Sequence, residues 1–397
     1  MASVRKRTWK SGGETKTAWI ADYFGQDGKR HIETFTTKKA AEASLVDTLH
    51  DVKEGTHTAR SSSITIREAA EHWLKAVELK SRERSTLVQY RNHVEHHINP
   101  LLGHVKLADL TTPRVEKFAD ALRNRPYAEE AQRSGNMSLA MAKKVLASLK
   151  GIIKEAQRTG KIAKNPTLPV KIELPKRGRR KIVPGRDFPS KAEINSLLTT
   201  VASRWRPLII TAVFTGMRSS ELRGLRWEDV DLAKDKVIHV RQRADAWGEM
   251  GPPKSEAGER TIALAPTVVN ALKEWKLSCP RKNVGAKGED DPGVLDLVFP
   301  NGDGKPESHA NICNRGFYPL QVASGVVTGA GGAKYGFHTL RHFFASWIIE
   351  QDFSPKKVQA MLGHSSMQMT FDIYGHLFPS LEDDHAKLAA GEIALVG

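Results

Sequence analysis

Apolar residues recur along this chain with two different periods. Residues 17–24 and 29–35 are aromatic and β-branched runs on either side of Gly25-Gln26-Asp27-Gly28, which predicts a hairpin; Thr36 or Thr37 can then cap a helix over 38–49. From about residue 64 the period becomes helical. Helices are predicted over 66–79, 85–97, 112–122 (entered through Pro113) and 138–157, the last stopping at Gly160. Residues 126–137 lack apolar periodicity and read as a mobile loop. Two more helices follow over 191–202 and 207–215, the second ending at Gly216, then strands over 236–241 and 260–264 joined by a long hairpin. The last quarter carries three short helices. The first buries Leu340, Phe343, Phe344, Trp347 and Ile348 with Thr339 as N-cap. The second starts at Ser354 and Pro355, turns Val358, Met361 and Leu362 inward and stops at Gly363. The third spans 366–374, with Met369, Ile373 and Leu377 inward, which faces Tyr374 out of the core.

The expected fold is mainly α with small β-sheets (α+β). A small sheet with one helix occupies residues 1–58, a four-helix bundle 64–162, a basic linker 163–190, and a mixed α/β domain with a C-terminal tail 191–397. Trp9, Trp19, Tyr23 and Phe24 are expected in the core rather than stacked on bases. Arg5, Lys6, Arg7, Lys10 and Lys16 make either a DNA-contacting arm or a solvated basic tail. The linker carries five prolines and the run Lys176, Arg177, Arg179, Arg180, Lys181, read as lying along phosphates in preference to a solvated connector.

Charge narrows the partner. With 61 Lys and Arg against 45 Asp and Glu, the net charge is +16 and the isoelectric point is near 9.7, which favours a polyanion. Cys279 and Cys313 provide neither a disulfide framework nor a four-ligand zinc pattern and fit a reducing cytosol. No apolar run reaches about 18 residues and no signal-type apolar segment opens the chain, so the expectation is a soluble cytoplasmic protein with no membrane partner.

The candidate chemistry sits in the last quarter. His338, Arg341, His364 and Tyr374 fall on consecutive short helices and can bind, protonate or attack a phosphate. Arg218 follows the break at Gly216, Ser219 or Ser220 can cap the next helix, and Glu221, three residues on, can orient a neighbouring group. Lys254, within Pro252-Pro253-Lys254-Ser255, is a cation on a movable loop. His338 and His342 have the spacing of zinc-binding histidines, but Thr339 stands where a metalloprotease needs Glu. GVVTGAGGAK (325–334) lacks the ending of a phosphate-binding P-loop.

TGMRSSEL, PPKSEAGERTIAL, HTLRH, LGHSS and Tyr374 ten residues beyond His364, in this order, resemble the tyrosine recombinases, the phage integrase family, over residues 183–380. The bundle resembles that family's core-site-binding domain, and residues 1–58 resemble the arm-site-binding domain of its larger members. The resemblance implies that Arg218 and Arg341 clamp a scissile phosphate, that His364 donates a further hydrogen bond, and that Tyr374 attacks to leave a 3′-phosphotyrosine. It implies that Lys254 protonates the leaving 5′-oxygen, that His338 moves the Tyr374 proton, and that Glu221 helps position His338. It further implies double-stranded DNA attachment sites, a homotetramer exchanging strands through a Holliday junction, DNA-bending and directionality proteins, no metal or other cofactor, and a tail after Leu381 that packs on a neighbouring subunit. A DNA-binding regulator on an inactive scaffold and a DNA-relaxing type IB topoisomerase-like enzyme are the alternatives. The intact set of Arg218, Lys254, His338, Arg341, His364 and Tyr374 argues against the first.

Overall fold

The computed structural model describes residues 2–395 apart from 13, 26–27, 56, 58, 61–62, 81–82, 125–135, 174–180, 202, 281–294, 379–387 and 390–391. The loop expected over 126–137 lies almost wholly outside the described residues, and Arg177, Arg179 and Arg180 lie entirely outside them. The fold is mainly helical with small sheets, in two compact units, Met1–Lys176 and Arg177–Gly397.

The first unit opens with an antiparallel sheet in the order β1 (Ser3–Ser11), β2 (Glu14–Phe24), β3 (Arg30–Phe35), followed by α1 (Lys38–Lys53). The Thr37 hydroxyl caps α1 by accepting from the Ala40 N–H at 3.2 Å. Strand β1 corrects the expected arm or tail, because the cationic stretch pairs with β2 from Ser3 opposite Asp22 to Ser11 opposite Glu14. Its sequence lacks an apolar stripe because, Val4 apart, the whole strand is exposed. The register puts Arg5, Arg7, Trp9, Lys16, Phe24, Arg30 and Ile32 on one face and Lys6 on the other. Trp9 and Phe24 are 40% and 48% exposed, contrary to the expectation of core; Tyr23, on the opposite face from them, is buried, and Trp19 is half-buried.

Helix α2 (Ile66–Leu79) starts with a capping box in which Thr65 and Glu68 satisfy each other's backbone N–H groups. Helix α3 (Arg84–His93) runs through a π-helical turn at Val94–Ile98 into α4 (Asn99–Leu102), and α5 (Thr112–Arg123) and α6 (Leu139–Arg158, capped by Ser138) complete the bundle. Its core runs from Ile66 to Ile172, so Val170 and Ile172, expected in an extended linker, are packed core residues.

In the second unit α7 (Lys191–Thr200) is opened by the Ser190–Glu193 capping box, and α8 (Arg206–Thr215) is buried on nearly all sides. Next come α9 (Ser219–Arg223) and a three-stranded antiparallel sheet of β4 (Val230–Asp231), β5 (Val237–Val240) and β8 (Arg260–Ala263). The small pair β6 (Arg243–Ala244) and β7 (Met250–Gly251) lies within the hairpin between β5 and β8. Helices α10 (Pro266–Ser278), α11 (His309–Asn311) and α12 (Tyr318–Ala323) precede the three expected helices α13 (Thr339–Glu350), α14 (Pro355–Leu362) and α15 (Met367–Tyr374). Helix α13 links two apolar clusters: Leu340 and Phe343 join the main core, while Phe344, Ala345, Ile348 and Ile349 pack with Val358, Leu362 and Tyr374.

Two local expectations change. The N-cap of α13 is His338, and Thr339 is the first helical residue, its hydroxyl donating to the Gly336 carbonyl at 2.8 Å. On α15 the buried positions are Thr370 and Tyr374, whereas Met369 is 42% exposed. The inward stripe is thus one residue out of phase with the expected one, and Tyr374, expected to face outward, is only 1% exposed.

Candidate active site

The site is built on the C-terminal end of α14. Ser354 caps its start and Gly363 ends it in the left-handed conformation (φ 64°). A Cβ on Gly363 would sit 2.8 Å from the Ala257 carbonyl oxygen, so this close approach requires glycine. The last carbonyls of a helix have no partner within it and carry its negative dipole end. Here three consecutive carbonyls each receive an arginine. Met361 O accepts from Arg260 Nε at 2.7 Å, Leu362 O from Arg341 Nη2, and Gly363 O from Arg218 Nη2 at 3.1 Å.

Each guanidinium is fixed at a second point. Arg341, buried on α13, donates through Nη1 to the Gly216 carbonyl at 2.8 Å. Gly216 ends α8 in the left-handed conformation (φ 59°) and lies so close to the Phe344 ring that a Cβ would clash. Arg218 occupies the N-cap position of α9, where Ser219 or Ser220 was expected. Its backbone N–H donates to Glu221 Oε2 at 2.8 Å and its Nη1 to Oε1 at 2.7 Å. Arg260 Nη2 reaches Glu221 Oε2 at 2.9 Å and its Nη1 the Gly258 carbonyl at 2.9 Å. Burial pushes the Glu221 carboxyl up, but Arg260 and Arg218 outweigh it and hold it below its ordinary range. Burial and the neighbouring Arg218 lower Arg341 to about 9, so it stays protonated at neutral pH.

The other groups lie around this cluster. His364, directly after Gly363, is buried, and its Nδ1 is 2.9 Å from the Thr370 hydroxyl on α15. Burial and the facing Arg341 and Arg218 hold it down to about 4, so it is neutral. The His364 and Tyr374 rings are near-parallel (8°), with centroids 6.5 Å apart. The Tyr374 hydroxyl lies 2.7 Å from His342 Nδ1, and burial raises the phenol above its ordinary range against the opposing pull of Arg341. His338 stands edge-on to His342 at 5.3 Å between centroids; desolvation in the cleft, His342 and Arg341 hold it down to about 4. Lys254 is exposed on the loop between β7 and the short turn Glu256–Gly258, just ahead of Arg260.

Contacts thus join Arg218, Glu221, Arg341, His364 and Tyr374, with His338 one ring away. Arg5, Lys6 and Arg7 lie on β1 of the other unit. Three residues of the pocket were given no catalytic role by the sequence reading, in which His342 figured only as half of a rejected zinc-type pair. Arg260 had a signal, as a charged residue opening a strand, and so did His342, one helical turn after His338. Thr370, four residues before Tyr374, offered none beyond its spacing.

Residues 188–380 match the phage integrase family, and residues 65–123 match the N-terminal SAM-like domain of phage integrases. The chain is 25% identical to a tyrosine recombinase XerC-like protein of Caldanaerobacter subterraneus subsp. tengcongensis over 93% of this chain and 94% of that one. It is 30% identical to the prophage integrase IntR of Escherichia coli K12 over 61% of this chain and 59% of the other. In fold it is similar to the Tn1549 transposon integrase, solved with a circular intermediate DNA (TM-score 0.62, 19% identity, 83% of this chain and 99% of that one). It is also similar to a lambda integrase tetramer solved on a Holliday junction (TM-score 0.52, 18% identity, 87% and 93%).

Proposed function

This chain belongs to the phage integrase family of tyrosine recombinases, and we propose that it is a site-specific recombinase that integrates and excises a mobile element such as a prophage. One observation carries the residue assignments: Arg218 and Arg341 are held on adjacent carbonyls of one helix end, with His364 and the Tyr374 phenol in the same pocket. A phosphodiester placed there meets two fixed guanidiniums, which stabilise charge on the phosphorane without reorganising. With the Thr370 hydroxyl donating to Nδ1 of neutral His364, the other ring nitrogen carries the proton and can donate to a non-bridging oxygen. Tyr374 attacks phosphorus, the bond to the 5′-oxygen breaks, and Lys254 protonates that oxygen. The products are a 3′-phosphotyrosine link and a free 5′-hydroxyl. The energy of the broken bond is kept in the link, and a 5′-hydroxyl from a second duplex can reverse the step. His338 serves proton traffic toward Tyr374, and Glu221 fixes Arg218.

The partners are double-stranded attachment sites, bound in the bacterial cytoplasm by a homotetramer that exchanges strands in pairs, with DNA-bending and directionality proteins assisting. Among the described residues no helix is long and apolar enough to cross a membrane. The bundle holds the core site. Residues 1–58 hold a separate arm site, through the sheet face bearing Arg5, Arg7, Trp9 and Lys16; Lys6 lies on the other face. The basic linker with Arg177, Arg179 and Arg180 follows phosphates beside the core.

The test is to map the DNA joints formed in cells, build a nicked duplex from that core, and look for a denaturation-resistant protein–DNA adduct. Wild type forms it, including in excess EDTA, since Arg218, Arg341 and Lys254 supply the electrostatics. Tyr374→Phe binds the duplex and forms none. An adduct from Tyr374→Phe overturns the nucleophile. Binding without any wild-type adduct leaves a DNA-binding regulator, and relaxation of supercoiled DNA regardless of sequence leaves a topoisomerase.

A further inference from the structure

Resting on the recombinase reading, we propose that His342 accepts the Tyr374 phenolic proton during attack and returns it on rejoining, the role otherwise expected of His338. The phenol oxygen lies 2.7 Å from His342 Nδ1, within direct hydrogen-bond reach, with the ring planes tilted by 55°. The alternatives are worse placed. Tyr374 is 1% exposed, so bulk water does not reach its hydroxyl readily. His364 lies parallel to the phenol ring and has Nδ1 on Thr370. His338 meets the edge of His342, one ring further out toward solvent.

The protonation states suit the transfer. Burial, with Arg341 beside it, keeps His342 below its ordinary range although Asp187 pulls the other way, so the ring is neutral and its lone pair can face the O–H. Tyr374 is held as the neutral phenol, so the proton stays on oxygen until the O–P bond begins to form. On attack the phenol O–H breaks, its proton goes to His342 Nδ1 and the O–P bond forms. The bond from phosphorus to the 5′-oxygen breaks and that oxygen takes a proton from Lys254. His342 is then an imidazolium and Lys254 an amine. Rejoining resets both, as the incoming 5′-hydroxyl gives its proton to Lys254 and the departing Tyr374 oxygen recovers its own from His342. His338, exposed and in ring contact, lets the His342 proton exchange with solvent during a long-lived covalent state.

The experiment measures single-turnover adduct formation by the full chain on the nicked core duplex. His342→Ala is expected to bind the duplex as wild type does and to cleave about 10²-fold or more slowly, with added imidazole restoring part of the rate. A duplex with sulphur in place of the 5′-bridging oxygen, which leaves without a proton, should rescue Lys254→Ala and leave His342→Ala slow. His342→Asn keeps a hydrogen-bond acceptor for the phenol without a base, guards against misfolding of the alanine variant, and should be equally slow with an unchanged melting temperature. Wild-type cleavage rates in His342→Asn or His342→Ala, or rescue of either by the bridging sulphur, overturn the role. Absence of an adduct from wild type overturns the recombinase reading and this role with it.

Discussion

The N-terminal sheet and the pocket at the end of α14 are both built around arginines, and they treat the charge in opposite ways. On the sheet, Arg5, Arg7 and Lys16 stand exposed on β1 and β2, and Arg5 and Arg30 share one carboxylate, Asp22. In the pocket, Arg341 and Arg260 are lodged under protein, with carbonyls of a helix end and Glu221 as fixed partners. Exposed cations attract a polyanion over a distance, adjust to its shape and are screened by salt. Buried, fixed cations contribute little to encounter but present a field that needs no rearrangement when charge builds on phosphorus. On the proposed function, the first arrangement suits holding DNA and the second suits breaking it.

The largest expected effect follows from that contrast. Arg341→Lys keeps the charge but loses the fork that reaches the Gly216 and Leu362 carbonyls and that, on the proposed function, also faces the phosphate. Adduct formation should fall by about 10²–10³-fold with core binding retained. Arg7→Lys on the sheet should leave DNA binding nearly unchanged, since a point charge suffices there. Equal tolerance at the two positions in parallel cleavage and binding assays breaks the contrast.

Acid should strike the two regions in different windows. His364 is held down to about 4 from an ordinary value of 6.5, so in this range the unfolded chain binds more protons than the folded one and stability rises with pH. The stability this neutral ring contributes is present above about 6.5 and is lost as pH falls toward 4; the shift corresponds to at most about 3 kcal/mol. Glu221, also lowered, extends the loss below the ordinary carboxylate range. On the sheet the lowered group is Asp22, through its hydrogen bond from Arg30, so its loss begins only below the ordinary 3.8. Melting temperatures from pH 7 to 4 should fall for wild type and fall less steeply for His364→Gln, in which His338 and His342, also held below their ordinary range, still contribute, while Asp22→Asn leaves that range unchanged. A curve for His364→Gln that parallels wild type removes the histidine from the account.

How much of this was legible depends on whether the signal is local. Helix α14 could be read because Ser354, Pro355 and Gly363 act within one turn of the residues they terminate. The direction of Tyr374 could not, because the buried face of α15 includes the Thr370 hydroxyl, while the apolar Met369 faces solvent; periodicity follows hydrophobicity and so picked the wrong phase. Strand β1 was hidden for a related reason, as a paired strand exposed on both faces shows no alternation. Arg218 and Glu221 were visible as neighbours in sequence, but the Glu221–Arg260 pair spans 39 positions, and the Arg260–Met361 and Arg218–Gly363 pairs at α14 span 101 and 145. Such contacts become readable only once the chain is folded.

The smallest effect separates the two faces of the N-terminal sheet. Strand alternation puts Arg7 and Lys16 on one face with Trp9, and Lys6 on the other, beside Trp19. If the first face lies along the arm-site backbone, each lost phosphate contact should flatten the log–log dependence of affinity on salt by about 0.9. Arg7→Ala with Lys16→Ala should therefore lower the slope by up to about 1.8, while Lys6→Ala leaves it as it was. Arg5→Ala should fall between them, because its ion pair with Asp22 at 3.6 Å already occupies part of its charge. The measurement is affinity of the full chain for a footprinted arm duplex over a salt series, with the core duplex as control, where none of these variants should change the slope. An effect of Lys6→Ala equal to that of the Arg7 and Lys16 pair would mean that no one face of the sheet is the binding surface, and the exposed cations would then act only as a diffuse charge.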